Sequence, residues 1–141
     1  MSNHTLSQLG FTGHFASQLS LDDFEQLTPM RVTEVQRDRL FGIGEQGANQ
    51  LTLVGDSHAG DFAVGDWVLV DDATRVTRRL EPKSSLSRRA AGTDASVQLI
   101  ANNVDTLLIV SSCNADFSVA RLERYLALAT EAEVTPVVVL N

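Results

Sequence analysis

The sequence predicts a mainly β fold: an N-terminal helical segment, a five-stranded barrel, and an incomplete α/β unit at the C-terminal end. Two observations support the barrel. Apolar residues between positions 30 and 80 recur with a period of two, and glycines and the Asp71-Asp72 pair separate the runs. The α/β unit follows from a third: two continuous apolar runs flank a segment with helical spacing.

Composition indicates a globular protein. Hydrophobic residues make up 43% of the 141 residues and charged residues 21%, and a chain of this length buries roughly two-thirds of its unfolded surface. No apolar run approaches the roughly 20 residues that span a bilayer, which predicts no membrane partner. Cys113 is the single cysteine, so no internal disulfide forms; we expect it as a small apolar residue at a strand end. With no secretory signal, these features predict a cytoplasmic location.

The first thirty residues are predicted to be helical. One apolar face would combine Leu6, Leu9, Phe11, Phe15 and Leu19. Ser20 and Asp23 have the spacing of a capping box, which predicts a short helix through Leu27. Pro29 then favours an extended residue before it, so the helical segment ends there.

Five short strands follow in about fifty residues. They begin at Met30 and continue over 40–43, 50–54, 66–70 and 74–80. Five short strands separated by turn residues are typical of an oligonucleotide/oligosaccharide-binding (OB) barrel. An SH3-like barrel is the alternative, because its strand pattern is much the same in sequence.

Gly42-Ile-Gly-Glu-Gln-Gly47 matches the G-x-G-x-x-G pattern of dinucleotide-binding loops. That motif needs a helix after its glycines, whereas residues 50–54 alternate as a strand does, and Glu45 would repel a phosphate. The segment is therefore predicted to be a hairpin. The sequence also contains no G-x-x-x-x-G-K-[ST] run, so it has no phosphate-binding loop.

Metal and hydrolase sites are not predicted. Asp56, His58 and Asp61 are close in sequence, but they lack a fixed register and a fourth ligand, which favours a polar loop. Serine, histidine and acidic residues elsewhere show no spacing of a catalytic triad. We expect no catalytic residue and no metal ligand in this chain.

Basic residues are concentrated between positions 31 and 89, although the net charge of the whole chain is −7. Such a concentration can neutralise phosphates locally while the rest of the surface stays acidic, so it predicts contact with RNA; a solvated face is the alternative. The nearest aromatic residues, Phe41, Phe62 and Trp67, are expected mainly as core. The predicted RNA-binding residues are Arg31, Arg37, Arg39, Arg75, Arg78, Arg79, Lys83, Arg88 and Arg89.

The C-terminal segment reads as one βαβ unit. Residues 103–112 and 134–140 are buried-strand runs, and Phe117 to Thr130 between them has helical spacing. A right-handed crossover would place both strands in one parallel sheet. One face and one edge of that sheet remain uncovered, so we expect this unit to be the less stable one and to permit self-association.

Four segments carry a resemblance to a known family. They are Ser87–Gly92, Gln98–Val110, Asp116–Ala129 and Pro136–Asn141. Their order, the Asn-Val-Asp lead into the first strand and the Leu-Glu-Arg-Tyr-Leu helix resemble the ribosome small-subunit-dependent GTPase A family. The resemblance covers residues 87–141 and follows an N-terminal OB domain, as in that family.

The resemblance implies the start of a circularly permuted GTPase domain. Asn141 would be the first residue of the guanine-reading Asn-Lys-x-Asp motif, and the chain the N-terminal part of a longer enzyme. That enzyme would use GTP and Mg²⁺ and carry zinc in a C-terminal domain. It would hydrolyse GTP when bound to the small ribosomal subunit during late assembly, and its OB domain would contact the rRNA of that subunit.

The implied domains are 1–84 (N-terminal segment and OB domain), 85–99 (basic linker) and 100–141 (incomplete GTPase domain). Two alternatives stay open. One is a stand-alone OB module that binds RNA or protein without enzymatic activity, and the other is a purely structural barrel.

Overall fold

The computed structural model describes residues 4–89, 97–114 and 117–141. The chain divides into two compact units, Met1–Lys83 and Ser84–Asn141. The boundary lies at the end of the predicted OB domain. The range 85–99, predicted as a basic linker, contains a strand and the start of another, because β6 (Ser85–Arg89) pairs antiparallel with β7 (Val97–Asn102).

The N-terminal strap, residues 5–27, holds two short helices, α1 (Gly13–Ala16) and α2 (Leu21–Gln26). The predicted capping box is confirmed: Asp23 N donates to Ser20 Oγ at 3.2 Å, and Ser20 N donates to Asp23 Oδ2 at 2.8 Å. The expected helix over the earlier apolar positions is wrong. Gly10 lies at φ 96°, outside the helical region, so this part of the strap forms turns instead.

Five strands form one antiparallel sheet in the first unit, as predicted. They are β1 (Thr28–Val35), β2 (Leu40–Gly44), β3 (Gly47–Leu51), β4 (Trp67–Val70) and β5 (Val76–Arg79), in the order β3-β2-β1-β4-β5. The glycine motif is a β2–β3 hairpin, which confirms the prediction; Gly44 pairs with Gly47, and Gly47 has φ 106°. This hairpin starts β3 three residues earlier than the predicted strand at 50–54.

The two edge strands of this sheet meet at one point. Thr52, after β3, forms a parallel bridge with Arg75, before β5. Thr52 N donates to Thr74 O and Val76 N donates to Thr52 O, both at 2.9 Å. The barrel is therefore partly open, as OB barrels are, and the predicted fold class is confirmed.

Strand β4 is buried on both faces, with Trp67, Val68 and Leu69 at 0% exposure. Val68 faces an inner core of barrel residues that includes Leu40 and Leu51. The outer face carries Trp67 and Leu69, which pack with Phe15, Leu80 and the partly buried strap residues Leu6, Leu9, Phe11, Leu19 and Leu27. The strap thus supplies a second core, where each fully buried large apolar side chain contributes about 1.5–3 kcal/mol.

The second unit contains the predicted βαβ arrangement. Strands β8 (Thr106–Ser111) and β9 (Thr135–Leu140) are parallel, and α3 (Val119–Glu131) connects them. Helix α3 starts at Ser118, whose hydroxyl accepts a bond from Arg121 N. Every residue of β9 is exposed, which fits the expectation that this sheet leaves apolar surface uncovered.

Candidate nucleic-acid interface

The predicted RNA-binding residues fall in both units. Arg31, Arg37, Arg39, Arg75, Arg78, Arg79 and Lys83 belong to the first, whereas Arg88 and Arg89 lie on β6 of the second. Within the first unit they occupy several places: a strand facing the strap, the loop between β1 and β2, the loop between β4 and β5, β5 itself and, for Lys83, the last residue of the unit.

The loop between β1 and β2 spans residues 36–39 and presents Arg37. Gln36 N donates to Arg39 O at 2.9 Å, which closes the turn. Arg39 Nε bonds Asp38 Oδ1 at 3.1 Å, and this hydrogen bond lowers the pKa of the Asp38 carboxyl. Arg37 is exposed and makes no hydrogen bond or ion pair with the described part of the chain. Its guanidinium is therefore available to an external anion.

The loop between β4 and β5 holds its arginine in an internal contact. Asp71 accepts bonds from Ala73 N and Arg75 N, each at 2.9 Å, and from Arg75 Nε at 2.8 Å. The bond from the Arg75 backbone N–H is the main cause of the lowered pKa of Asp71. Asp72 adds a further negative charge. This loop therefore offers less free positive charge than its sequence indicates.

Arg78 attaches the strap to β5. One of its terminal nitrogens donates to Gln18 O at 2.7 Å and to Asp23 Oδ2 at 3.1 Å. The pKa of Asp23 is lowered, first by the hydrogen bond from Ser20 N and also by the Arg78 charge. Beside this contact, the Gln18 side chain bonds both backbone groups of Glu81, with Glu81 N to Gln18 Oε1 at 2.7 Å. Arg78 thus has a structural role in the free protein.

Arg79 lies beside a buried carboxylate. Its Nη1 is 3.9 Å from Asp66 Oδ2 and donates to Asp61 O at 3.3 Å. Asp66 is 0% exposed and accepts a bond from Ala63 N at 2.8 Å. A shallow groove of about 230 Å³ adjoins this contact, lined by Ser57, Asp61, Phe62, Val76, Thr77, Arg78 and Arg79. A positive charge next to a buried carboxylate compensates part of its desolvation.

Arg31 is also an internal cross-link. It is partly buried on β1, where Nη1 donates to Leu9 O at 2.8 Å and Nε to Gly65 O at 3.1 Å. These bonds connect the strap, β1 and the turn before β4. The sequence pattern placed Arg31 among the predicted RNA-binding arginines. Its hydrogen-bond partners are 22 and 34 residues away in the sequence, so no local pattern indicated them.

The three aromatic candidates have different positions. Phe62 and Trp67 are buried in the inner core and the second core, as expected. Phe41 on β2 is half-buried and belongs to neither core, so the expectation of a core role is wrong for this residue. The alternation of Leu40, Gly42 and Gly44 on the core side of β2 is the signal that could have placed Phe41 outward.

Asn141 follows β9, next to the end of β8. Its N donates to Ser111 O at 2.9 Å, and its O accepts from Cys113 N at 3.4 Å. Cys113 is exposed beyond the strand end, not packed as a small apolar residue. Ligands of α/β sheets bind outside the carboxyl ends of parallel strands, which is where Asn141 lies.

Neither a metal-binding cluster nor a membrane-spanning helix is found in residues 4–89, 97–114 and 117–141. The His, Cys, Asp and Glu residues of these ranges form no group that could hold a metal ion. The helices of these ranges include none long and apolar enough to cross a membrane.

Comparison with known proteins identifies the family. The sequence model of the RsgA GTPase family matches residues 79–141. Small ribosomal subunit biogenesis GTPase RsgA of Mesorhizobium japonicum is 51% identical over 141 residues, which cover 99% of this chain and 40% of the relative. RsgA 2 of Vibrio vulnificus is 46% identical over 139 residues, covering 98% and 39% respectively. The chain thus spans about two-fifths of the length of these relatives.

Two solved structures share the fold. The chain superposes on YjeQ from Thermotoga maritima with a TM-score of 0.58 at 20% identity, covering 82% of this chain and 41% of that one. For YloQ, described as a circularly permuted GTPase, the TM-score is 0.57 at 18% identity, with 81% and 40% covered. With the sequence matches to RsgA proteins over nearly its whole length, the chain belongs to the RsgA GTPase family.

Proposed function

We propose that this chain is the part of a small-subunit biogenesis GTPase that docks on the ribosome, with the OB-like unit contacting small-subunit rRNA. The observation that carries the proposal is the order of the units: a five-stranded OB-like unit precedes a βαβ unit within one RsgA-type sequence. The relatives that are 51% and 46% identical to this chain are named small ribosomal subunit biogenesis GTPases. The complete enzyme would act in the cytoplasm.

Within the OB-like unit, the loop between β1 and β2 is the proposed first point of RNA contact. OB folds bind oligonucleotides on the face of their second and third strands and with the loops after the first and fourth strands. Arg37 supplies a free guanidinium in the first of these loops, and Arg39 lies beside it. Arginine pairs with phosphate through two parallel hydrogen bonds.

The other predicted basic residues have secondary parts in this proposal. Arg31, Arg78 and Arg79 keep the strap and β5 in place, so they support the RNA-binding surface by holding these elements together. Arg75 would offer phosphate only the donors that Asp71 does not use. Lys83, Arg88 and Arg89 would extend the contact along the chain that leaves the OB-like unit.

Guanine recognition is proposed for Asn141. The amide side chain is exposed at the carboxyl end of a parallel strand pair, which suits the reading of a base edge. The sequence contains no phosphate-binding loop, so these residues fit the guanine base but not the phosphates or Mg²⁺ of GTP. GTP supplies the phosphoryl group for hydrolysis, and Mg²⁺ bridges its phosphates. Other parts of the enzyme would hold the phosphates and Mg²⁺, and also the zinc.

Co-sedimentation with isolated ribosomal subunits tests the proposal. The chain should pellet with small subunits and not with large ones. If about three phosphates are contacted, the logarithm of affinity should fall with the logarithm of salt at a slope of about −2 to −3. Equal binding to both subunits, or no binding at low salt, would overturn the rRNA role.

A further inference from the structure

The outward face of strand β2 carries an aromatic residue. Leu40 points into the inner core at 0% exposure, and a Cβ on Gly42 would lie 2.9 Å from Leu51 Cδ1. Because side chains alternate along a strand, Phe41 and Ile43 point to the opposite face. Both are half-buried, and neither belongs to a core. An aromatic ring is therefore presented on the outside of the barrel.

Phe41 is not among the residues that pack with the strap in the second core. The strap packs on the outer side of β4, against Trp67 and Leu69. It also reaches Arg31, the β1 partner of Ile43, through the bond from Arg31 Nη1 to Leu9 O. Exposed Gln50 of β3 pairs with Phe41 and points to the same outer face, because the next residue, Leu51, belongs to the inner core. Amide side chains beside an aromatic ring can hydrogen-bond the edge of a base that stacks on the ring.

Charge is distributed unequally along this face. At one end, the loop 36–39 carries Arg37, which has no internal partner in the described residues. Of the nearby carboxylates, Asp38 pairs with Arg39. Glu34, the β1 partner of Phe41, accepts a hydrogen bond from the neutral Gln36 Nε2 at 3.0 Å and keeps its negative charge. At the other end, exposed Glu45 lies in the β2–β3 turn. A phosphate is therefore favoured at Arg37 and disfavoured both beside Glu34 and at the hairpin turn.

The geometry points to a subsite for single-stranded RNA on this face, in which an unpaired base stacks on Phe41 while a flanking phosphate binds Arg37. Gln50 lies beside the ring to bond the base edge. The ring can be reached only by a base that has left a helical stack, which selects loops, bulges and single strands over duplex. This inference rests on the proposed RNA contact of the OB-like unit and specifies what kind of RNA it takes.

Fluorescence anisotropy of labelled RNA with the full chain tests the subsite. The probes are an unstructured oligouridylate of about 12 nucleotides and a duplex of the same length. The variants are Phe41→Leu, Phe41→Tyr, which keeps an aromatic ring, and Phe24→Leu as the control. Phe24 is 54% exposed on α2, so it matches Phe41 as a surface aromatic outside the subsite.

The wild-type chain should bind the single strand more tightly than the duplex. Since base–aromatic stacking is worth about 1–3 kcal/mol, Phe41→Leu should weaken single-strand binding at least about 5-fold, whereas Phe41→Tyr and Phe24→Leu should change it less than about 2-fold. Urea midpoints followed by Trp67 fluorescence verify that each variant is folded.

Three results would overturn the subsite. Equal affinity of the wild-type chain for duplex and single strand removes the selection for unpaired bases. Unchanged affinity of a folded Phe41→Leu variant rules out stacking on this ring. If Arg37→Glu still weakens binding in that case, the proposed rRNA contact of the OB-like unit is retained without the subsite. A wild-type chain that binds neither probe removes the subsite, and the proposed rRNA contact then depends on the co-sedimentation with small subunits.

Discussion

Replacing Arg79 with methionine should destabilise the OB-like unit through Asp66. The substitution removes the cation but keeps an apolar stem of similar reach. Asp66 is 0% exposed, and its Oδ2 lies 3.9 Å from Arg79 Nη1. A carboxylate that stays buried with less compensation raises the free energy of the folded state.

The size of this effect lies between two limits. Breaking a fully buried ion pair costs about 3–5 kcal/mol, and breaking an exposed one costs about 0–1 kcal/mol. The Asp66 carboxylate is fully buried, but the Arg79 side chain is 35% exposed and the contact is long. We therefore expect a loss of about 1–3 kcal/mol, between those limits.

Urea denaturation followed by Trp67 fluorescence measures this loss. Trp67 is the single tryptophan and lies in the second core, so its signal reports the first unit. With a urea m-value of about 2 kcal/mol/M, the midpoint should fall by about 0.5–1.5 M.

Arg75→Met is the matched control, because it breaks the ion pair with Asp71 in which Arg75 is 58% exposed. Its midpoint should fall by less than about 0.5 M. Equal midpoints for the two variants would refute the pairing of Arg79 with Asp66. Asp66→Asn should reduce the effect of Arg79→Met, because the buried charge is then absent.

Three further predictions follow from the contacts. The pKa of Asp23 is lowered by its hydrogen bonds, so its stabilising effect is present above the unfolded value near 3.8 and is lost as the pH falls through the lower folded pKa. In an acid titration of Trp67 fluorescence, Asp23→Asn should flatten the stability loss below that pH; an unchanged profile contradicts the contact. Amide hydrogen exchange should be faster in β8 and β9 than in β1 and β4, because β9 is exposed throughout; equal protection in the monomeric chain would contradict this. The chain should not bind a fluorescent GTP analogue at micromolar concentration, since it has no phosphate-binding loop, and binding competed by GDP but not by ATP would disprove this.

Sequence patterns predicted the secondary-structure elements more reliably than the roles of the surface arginines. The period-two runs, the capping box and the βαβ spacing depend on neighbours in the chain, and each was found. The role of the arginines depends on distant partners. Arg78 bonds residues 55 and 60 positions away, and no local pattern contains that information.

The burial of β4 also depends on residues that are distant in the sequence. Its continuous apolar run could indicate burial on both faces, but the strap that covers its outer side comes from residues 5–27. Gly10 was a local signal against helix over the first apolar positions of the strap. Phe41 could have been placed outward from the glycines that alternate with it, whereas the availability of Arg37 depends on the pairing of Asp38 with Arg39.

The partners of Arg78 and Arg79 also decide which substitutions test RNA binding. Reversing their charge would place carboxylates beside Asp23 and Asp66, so a lost affinity could reflect a damaged fold. Arg37 avoids this confusion, because it has no internal partner in the described residues.

The affinity of Arg37→Glu for isolated small ribosomal subunits tests whether the loop 36–39 contacts rRNA. Arg121→Glu on α3 is the control, since it makes the same charge change at an exposed position of the second unit. If Arg37 contacts a phosphate, the affinity of Arg37→Glu should fall about tenfold, with a salt slope less steep by about 1, and that of Arg121→Glu should fall less than about twofold. Equal losses for the two variants, or an unchanged affinity for folded Arg37→Glu, would contradict this contact.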